Sequence, residues 1–174
     1  MKLLARFTFV LVALFLSVLA RAAQAETVHA NLRGFEETPQ TISTGAGGEF
    51  HAKILKDSVI EYQLSYFGLE GAVTQAHIHF GRRGLTGGIS VWLCGTGSNP
   101  GPTGTPSCPT PGGTVTGTAI AANVIGPAGQ GISAGQLAEI INAIRAGATY
   151  ANVHSTLYPS GEIRGQIRRG SEQK

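Results

Sequence analysis

The sequence is poor in charged and aromatic residues. Charged residues make up 13% of its 174 positions and aromatic residues 7%, whereas 42% are hydrophobic. This balance excludes a disordered or highly charged tail protein and is typical of one folded globular domain. The 25 glycines and 8 prolines follow no Gly-X-Y period, which excludes collagen and favours a turn-rich β protein.

The chain has no run of lysine or arginine. Its formal charge of +3 comes from Lys2, Arg6 and Arg21, because ten basic residues face ten acidic residues from Glu26 onward. Proteins that bind nucleic acid or anionic membranes carry basic patches. We therefore expect neither of these partners.

Several catalytic signatures are missing as well. Asp57 is the only aspartate, and no G-x-S-x-G motif is present, which argues against a Ser-His-Asp hydrolase. Met1 is the only methionine, so a blue-copper site is not expected. No P-loop or dinucleotide-binding motif is found. Glu36 and Glu37 adjoin Pro39, and we expect both in an exposed turn. None of these signatures therefore identifies a catalytic residue. The sequence does not decide whether the protein is an enzyme.

The longest apolar run lies near the start of the chain. The run covers residues 7–20, follows Lys2 and Arg6, and precedes Ala23-Gln24-Ala25. This order is typical of a secretory signal peptide with an A-x-A cleavage site. The run has 14 residues, fewer than the roughly 18 of a membrane-spanning helix. We expect residues 1–25 to be removed and residues 26–174 to be secreted or periplasmic, the alternative being an uncleaved anchor.

Export gives the two cysteines an expected role. Cys94 and Cys108 enclose the segment GTGSNPGPTGTPS, which has almost no apolar anchor. Exported proteins form disulfides, and the spacing differs from the C-x-x-C of metal thiolates. We therefore predict a disulfide between Cys94 and Cys108.

Alternating polar and apolar residues predict three strands, and further segments bounded by Gly, Pro or Ser bring the number to about eight. The predicted strands cover residues 28–33, 50–54, 60–66, 73–80, 88–93, 114–120, 149–154 and 162–167. Lys56-Asp57-Ser58 is a hairpin turn, so the first three strands should form an antiparallel meander. We predict an all-β, single-domain β-sandwich or Greek-key barrel.

One segment has a helical period instead. Ser133 and Gln136 match a capping box. The apolar residues that follow are spaced at i, i+3, i+4 and i+7 and are Leu137, Ile140, Ile141 and Ile144. We predict one helix near residues 134–146, in a late crossover connection.

Three histidines are the candidate metal ligands. His77 and His79 point to the same face of a strand, because side chains two apart do so. His154 lies on another predicted strand, and three imidazoles would suit Zn²⁺ or Cu²⁺. The alternative is a hydrogen-bonded polar cluster. His29 and His51 alternate with apolar residues and are expected to face solvent.

Glu162 and Arg164 share a face of the last long predicted strand. One interpretation is a structural ion pair or hydrogen-bond network. The other is a second shell of the metal site, in which the carboxylate orients an imidazole.

Four segments together resemble the CHRD domain, a family named after chordin. These segments are VHANLRGFEETP, AHIHFG, SAGQLAEIINAIRAG and YANVHSTLYPSGEIRGQI, and the resemblance spans about residues 27–168. It implies an all-β extracellular module and a protein partner outside the cell or in the periplasm. The family has no established activity, so it contributes no catalytic residues. The segment from Cys94 to Cys108 is longer than is usual in the family.

The His-x-His pattern also resembles, more distantly, the copper/zinc superoxide dismutases. That family needs further histidines and an aspartate for zinc, and here the only aspartate is Asp57. The resemblance therefore implies at most a mononuclear centre. We predict a secreted CHRD-type binding or structural module with copper or zinc at the histidine cluster, the alternative being a mononuclear redox metalloprotein.

Overall fold

Nine strands form one antiparallel sheet in the computed structural model, which describes residues 25–170. The strands are β1 (Glu26–Arg33), β2 (Gly47–Leu55), β3 (Val59–Phe67), β4 (Val73–Phe80), β5 (Gly88–Gly95), β6 (Gly113–Ala119), β7 (Thr149–Ser155), β8 (Ile163–Gln166) and β9 (Arg168–Arg169). Their order is β5-β4-β7-β8-β1-β2-β3-β6, with β9 beside β1. The all-β prediction is confirmed.

The sheet curls into a nearly closed barrel. Its two edge strands, β5 and β6, approach each other, and a backbone bridge joins Val91 of β5 to Val124, which follows β6. Of the two predicted architectures, the structure therefore has the barrel-like one.

The first three strands form the predicted meander. His29 of β1 pairs with His51 of β2, which in turn pairs with Gln63 of β3. The turn between β2 and β3 places Lys56 and Asp57 at φ values of 48° and 54°. Two consecutive positive φ angles are typical of a two-residue hairpin turn whose twist matches the strands that it joins.

The sheet has an apolar inner face and an outer face that is partly covered. Phe50, Leu64, Ile78 and Ile163 are fully buried in the core. All seven residues of β7 are buried, although its sequence alternates between polar and apolar. The outer face of β7 is therefore covered by other parts of the chain.

Within residues 25–170 there is one α-helix, α1 (Leu137–Arg145), which lies between β6 and β7. Its buried face matches the prediction, but its predicted start was wrong by three residues. Gly135 has a φ of +85°, in the left-handed region, so the chain cannot be helical there. Only half of the capping box forms. The Ser133 backbone N–H donates to Gln136 Oε1 at 2.6 Å, but among the described residues no side chain caps the start of the helix.

Cys94 and Cys108 form the predicted disulfide. Cys94 lies near the end of β5, and the Cys108 N–H donates to the Gly95 carbonyl at 2.8 Å. We call residues 95–107 the disulfide segment.

The predicted signal peptide lies outside the described residues except for Ala25. Within residues 25–170, no helix has the length and apolar character needed to cross a membrane.

Candidate metal centre

Strand pairing brings the three candidate histidines onto the outer face of the sheet. In the β4–β7 ladder, His77 lies opposite Asn152 and Gln75 lies opposite His154. The neighbouring residues Ile78 and Val153 point the other way, into the core. The two histidines of β4 therefore lie beside His154 of β7.

The imidazoles are close enough to share one ion. One ring nitrogen from each of His77, His79 and His154 lies within 4.8 Å of the others, and the His77 Nδ1–His154 Nε2 distance is 3.2 Å. Two nitrogens on one tetrahedral ion at about 2.05 Å would lie about 3.3 Å apart. The closest pair thus already has the separation of two ligands.

Backbone carbonyls orient two of the rings. His79 Nδ1 lies 2.9 Å from the Gly87 oxygen, and His154 Nδ1 lies 3.0 Å from the Pro159 oxygen. A carbonyl only accepts, so each Nδ1 carries the proton and each Nε2 keeps its lone pair. His79 Nε2 and His77 Nε2 have no hydrogen-bonding partner among the described residues.

Burial keeps the cluster neutral. The exposed fractions of His77, His79 and His154 are 0%, 7% and 5%. Burial lowers the pKa of His77 to about 2, and repulsion from the other two imidazoles lowers it further in the same direction. Burial lowers the pKa of His79 to about 4 and also lowers the pKa of His154. The hydrogen bonds of both rings to backbone carbonyls act in the opposite direction but are outweighed. Near pH 7 all three are neutral imidazoles, the form that binds metal ions.

Two aromatic rings that the sequence analysis did not single out flank the cluster. The Trp92 ring meets the His77 ring edge-on, with centroids 4.4 Å apart and planes at 83°. The Tyr150 ring stacks on the His79 ring, with centroids 4.8 Å apart and planes at 6°. Alternation along β7 was a usable signal for Tyr150. Trp92 lies on a different strand, and its contact required knowledge of the β4–β5 pairing.

Arg164 lies next to the cluster and contacts Tyr150. Its guanidinium carbon lies 3.4 Å from the centroid of the Tyr150 ring, on which it stacks. The same group donates to the carbonyls of Arg82 at 3.1 Å and Leu85 at 2.9 Å, and to Thr38. Through these hydrogen bonds, Arg164 stabilises the conformation of the connection between β4 and β5, which lies beside His79.

Glu162 is fully buried, but its hydrogen bonds are to groups outside the histidine cluster. Its Oε1 accepts from Thr44 Oγ1 at 3.1 Å and from the Glu70 backbone N–H at 2.7 Å. Among the described residues it makes no ion pair with Arg164 and no hydrogen bond to the three histidines.

Glu37 is not in an exposed turn, contrary to the sequence prediction. It is 5% exposed, and Asn152 Nδ2 donates to its Oε1 at 2.6 Å. Burial raises the pKa of Glu37 to about 7, although Asn152 and the charge of Arg164 act in the opposite direction. The turn folds back over β7, which places this carboxyl group beside the outer face.

Comparison with protein families gives one match. The model of the CHRD domain matches residues 28–167, nearly the same span as the four sequence segments described above. Neither the curated proteins nor the solved structures include a match to this chain.

Proposed function

The chain belongs to the CHRD domain family, and we propose that residues 26–174 act outside the cytoplasm as a binding module that holds one Cu²⁺ or Zn²⁺ ion. The ligands in this proposal are His77, His79 and His154. The disulfide supports the location, because disulfides persist in oxidising compartments. Export itself is checked by the intact mass of the exported protein, which should begin at Glu26.

The observation that carries the metal proposal is the convergence of three buried, neutral imidazoles. In a purely hydrogen-bonded cluster the ring nitrogens would satisfy one another. Here the Nε2 atoms of His77 and His79 have no partner among the described residues, and an unsatisfied buried polar atom costs about 1–3 kcal/mol. An ion held by the cluster would use the free lone pair of His79 Nε2 together with the close pair His77 Nδ1 and His154 Nε2.

Three protein ligands leave one position of a tetrahedral ion for a further group. In a binding module, that position is where a donor group of the protein partner would bind. The comparisons give no support to the superoxide dismutase resemblance, so the proposal covers metal binding and not redox catalysis.

The test is titration of Cu²⁺ and Zn²⁺ into metal-stripped exported protein. Trp92 is the only tryptophan and touches His77, so Cu²⁺ should quench its fluorescence. We expect binding tighter than about 10 μM for the wild type. His77→Ala, His79→Ala and His154→Ala should each weaken it at least tenfold.

His51→Ala is the matched control, because His51 is exposed on β2 and its side chain hydrogen-bonds only to Glu49 among the described residues. Its affinity should equal that of the wild type. The proposal fails if the control loses as much affinity as the three site variants, or if the wild type binds neither metal with the expected strength.

A further inference from the structure

Trp92 lies between the histidine cluster and the disulfide segment. In the β4–β5 ladder Trp92 pairs with His77, next to a register shift, so the two side chains are on the same face of the sheet. Their rings are perpendicular and in contact. Trp92 is therefore a direct neighbour of a candidate ligand without being a ligand itself.

The disulfide segment packs against the same indole. A Cβ atom built on Gly101 would lie 2.6 Å from Trp92 Cε3 and 2.8 Å from Trp92 Cδ2. Only a glycine allows so close an approach, and Gly101 also has a φ of +68°. The segment is closed by Cys94, two residues after Trp92. The indole is thus in contact with His77 and with the backbone of a covalently closed loop.

His77 is the one histidine of the cluster with no backbone hydrogen-bonding partner among the described residues. His79 and His154 are each oriented by a carbonyl, whereas the hydrogen bond of His77 is to His154, another ligand of the proposed site. Metal-binding histidines are almost always held by an outer group that fixes the orientation of the ring. For His77, the group in contact is the Trp92 ring.

We propose that Trp92 is the positioning residue of the metal site. The disulfide segment holds the indole against His77, and the indole keeps His77 Nδ1 beside His154 Nε2. Metal affinity then depends on a loop that supplies no ligand. This inference rests on the proposed metal-binding function.

Two glycines of the disulfide segment provide a matched test. Gly101 and Gly104 both have positive φ, at 68° and 90°, so alanine strains the backbone at either position. Only at Gly101 would the new methyl group collide with Trp92, because nothing lies within 4 Å of a Cβ at Gly104. We expect Gly101→Ala to weaken Cu²⁺ binding about tenfold, the lower end of outer-group effects. Gly104→Ala should bind as the wild type does.

Substitution of Trp92 itself adds a spectroscopic readout. Trp92→Ala should weaken Cu²⁺ binding about tenfold by calorimetry and change the electron paramagnetic resonance spectrum of the bound copper, because His77 is no longer held. Trp92→Phe keeps a ring beside His77 and should restore both properties to within about threefold of the wild type. Phe50→Leu, which alters the core but not the site, should leave the spectrum unchanged.

The outcomes separate this inference from the proposed function. If the wild type binds neither metal, both are overturned. If binding depends on the three histidines but Gly101→Ala and Trp92→Ala bind as the wild type does, only the positioning role is overturned. An equal loss in Gly101→Ala and Gly104→Ala would likewise contradict it, since the loss would then come from backbone strain.

Discussion

At the scale of single residues, Glu37 is a carboxyl group buried beside the outer face of the barrel. Two adjacent glutamates before a proline are typical of an exposed turn, and Glu36 does make a partly exposed ion pair with Arg83. Glu37 is instead buried against Asn152. The local sequence could not predict this, because the burial comes from contact with β7, more than 100 positions away.

The buried Glu37 carboxyl should make stability depend on pH. Its pKa of about 7 in the folded state lies above the ordinary 4.5, so the folded protein holds a proton that the unfolded chain has released. The contribution of the Glu37 carboxyl group to folding stability is therefore complete below about pH 4.5, and it is lost as the pH rises through 7. We expect Glu37→Gln to raise the free energy of unfolding by about 3 kcal/mol at pH 8 and to change it little at pH 4.

Denaturant unfolding at the two pH values measures this difference. Glu49→Gln, which removes an exposed carboxylate, is the control and should show little change. A gain from Glu37→Gln that is the same at pH 4 and pH 8 would contradict the account.

The histidine cluster should resist protonation in the metal-stripped protein. His77 and His79 have folded-state pKa values of about 2 and 4, below the 6.5 of a free imidazole. Below pH 6.5 the unfolded chain binds protons that these two folded histidines do not bind. The free energy of unfolding should therefore be unaffected by them above pH 6.5 and should fall as the pH drops toward 4 and below. Nuclear magnetic resonance of the ring protons should show both as neutral from pH 8 down to about pH 5. A titration midpoint near 6.5 for either ring would show that it is not buried as described.

At the scale of the elements, the sequence predicted the strands that carry the site but not all of the contacts between them. Period-two alternation and the Gly, Pro or Ser residues that bound the segments located β1–β8, and alternation placed His77 and His79 on one face. Alternation shows which residues share a face but not which strands are neighbours, so the pairing of β4 with β7 did not follow from alternation. Trp92 was missed for the same reason. His154 was a candidate because it lies on another predicted strand, and in the structure that strand, β7, pairs with β4.

The start of α1 gives a test at the same scale. A helix from residue 134 would gain about 1 kcal/mol from Gly135→Ala, since alanine is the better helix former. In the structure Gly135 has a φ of +85°, so we expect the substitution to lower the free energy of unfolding by about 1 kcal/mol. Gly129→Ala is the matched control, because Gly129 has no positive φ and equal space for a Cβ, and it should be neutral or slightly stabilising. If thermal or denaturant unfolding shows that Gly135→Ala raises the free energy of unfolding, the start of α1 at Leu137 is contradicted.

At the scale of the whole molecule, the disulfide closes a long loop at the edge of the barrel. Cys94 and Cys108 are 14 positions apart, and a loop of that size is worth roughly 3 kcal/mol in the simple chain-entropy model. We expect Cys94→Ser/Cys108→Ser to lower the free energy of unfolding by about that amount. Reduction of the wild type should produce the same loss, and the double variant should not respond to the reductant. If the oxidised wild type and the variant are equally stable, the segment is ordered without its crosslink.

In the proposed function, the covered outer face of the barrel holds one metal ion between β4 and β7. The most direct measurement is a crystal structure of the copper-loaded exported protein, with an anomalous difference map recorded at the copper edge. We expect a single strong peak about 2.0–2.1 Å from one nitrogen each of His77, His79 and His154. A peak at His29 and His51, which pair across β1 and β2, or copper-loaded crystals with no peak at the three histidines, would contradict the proposal.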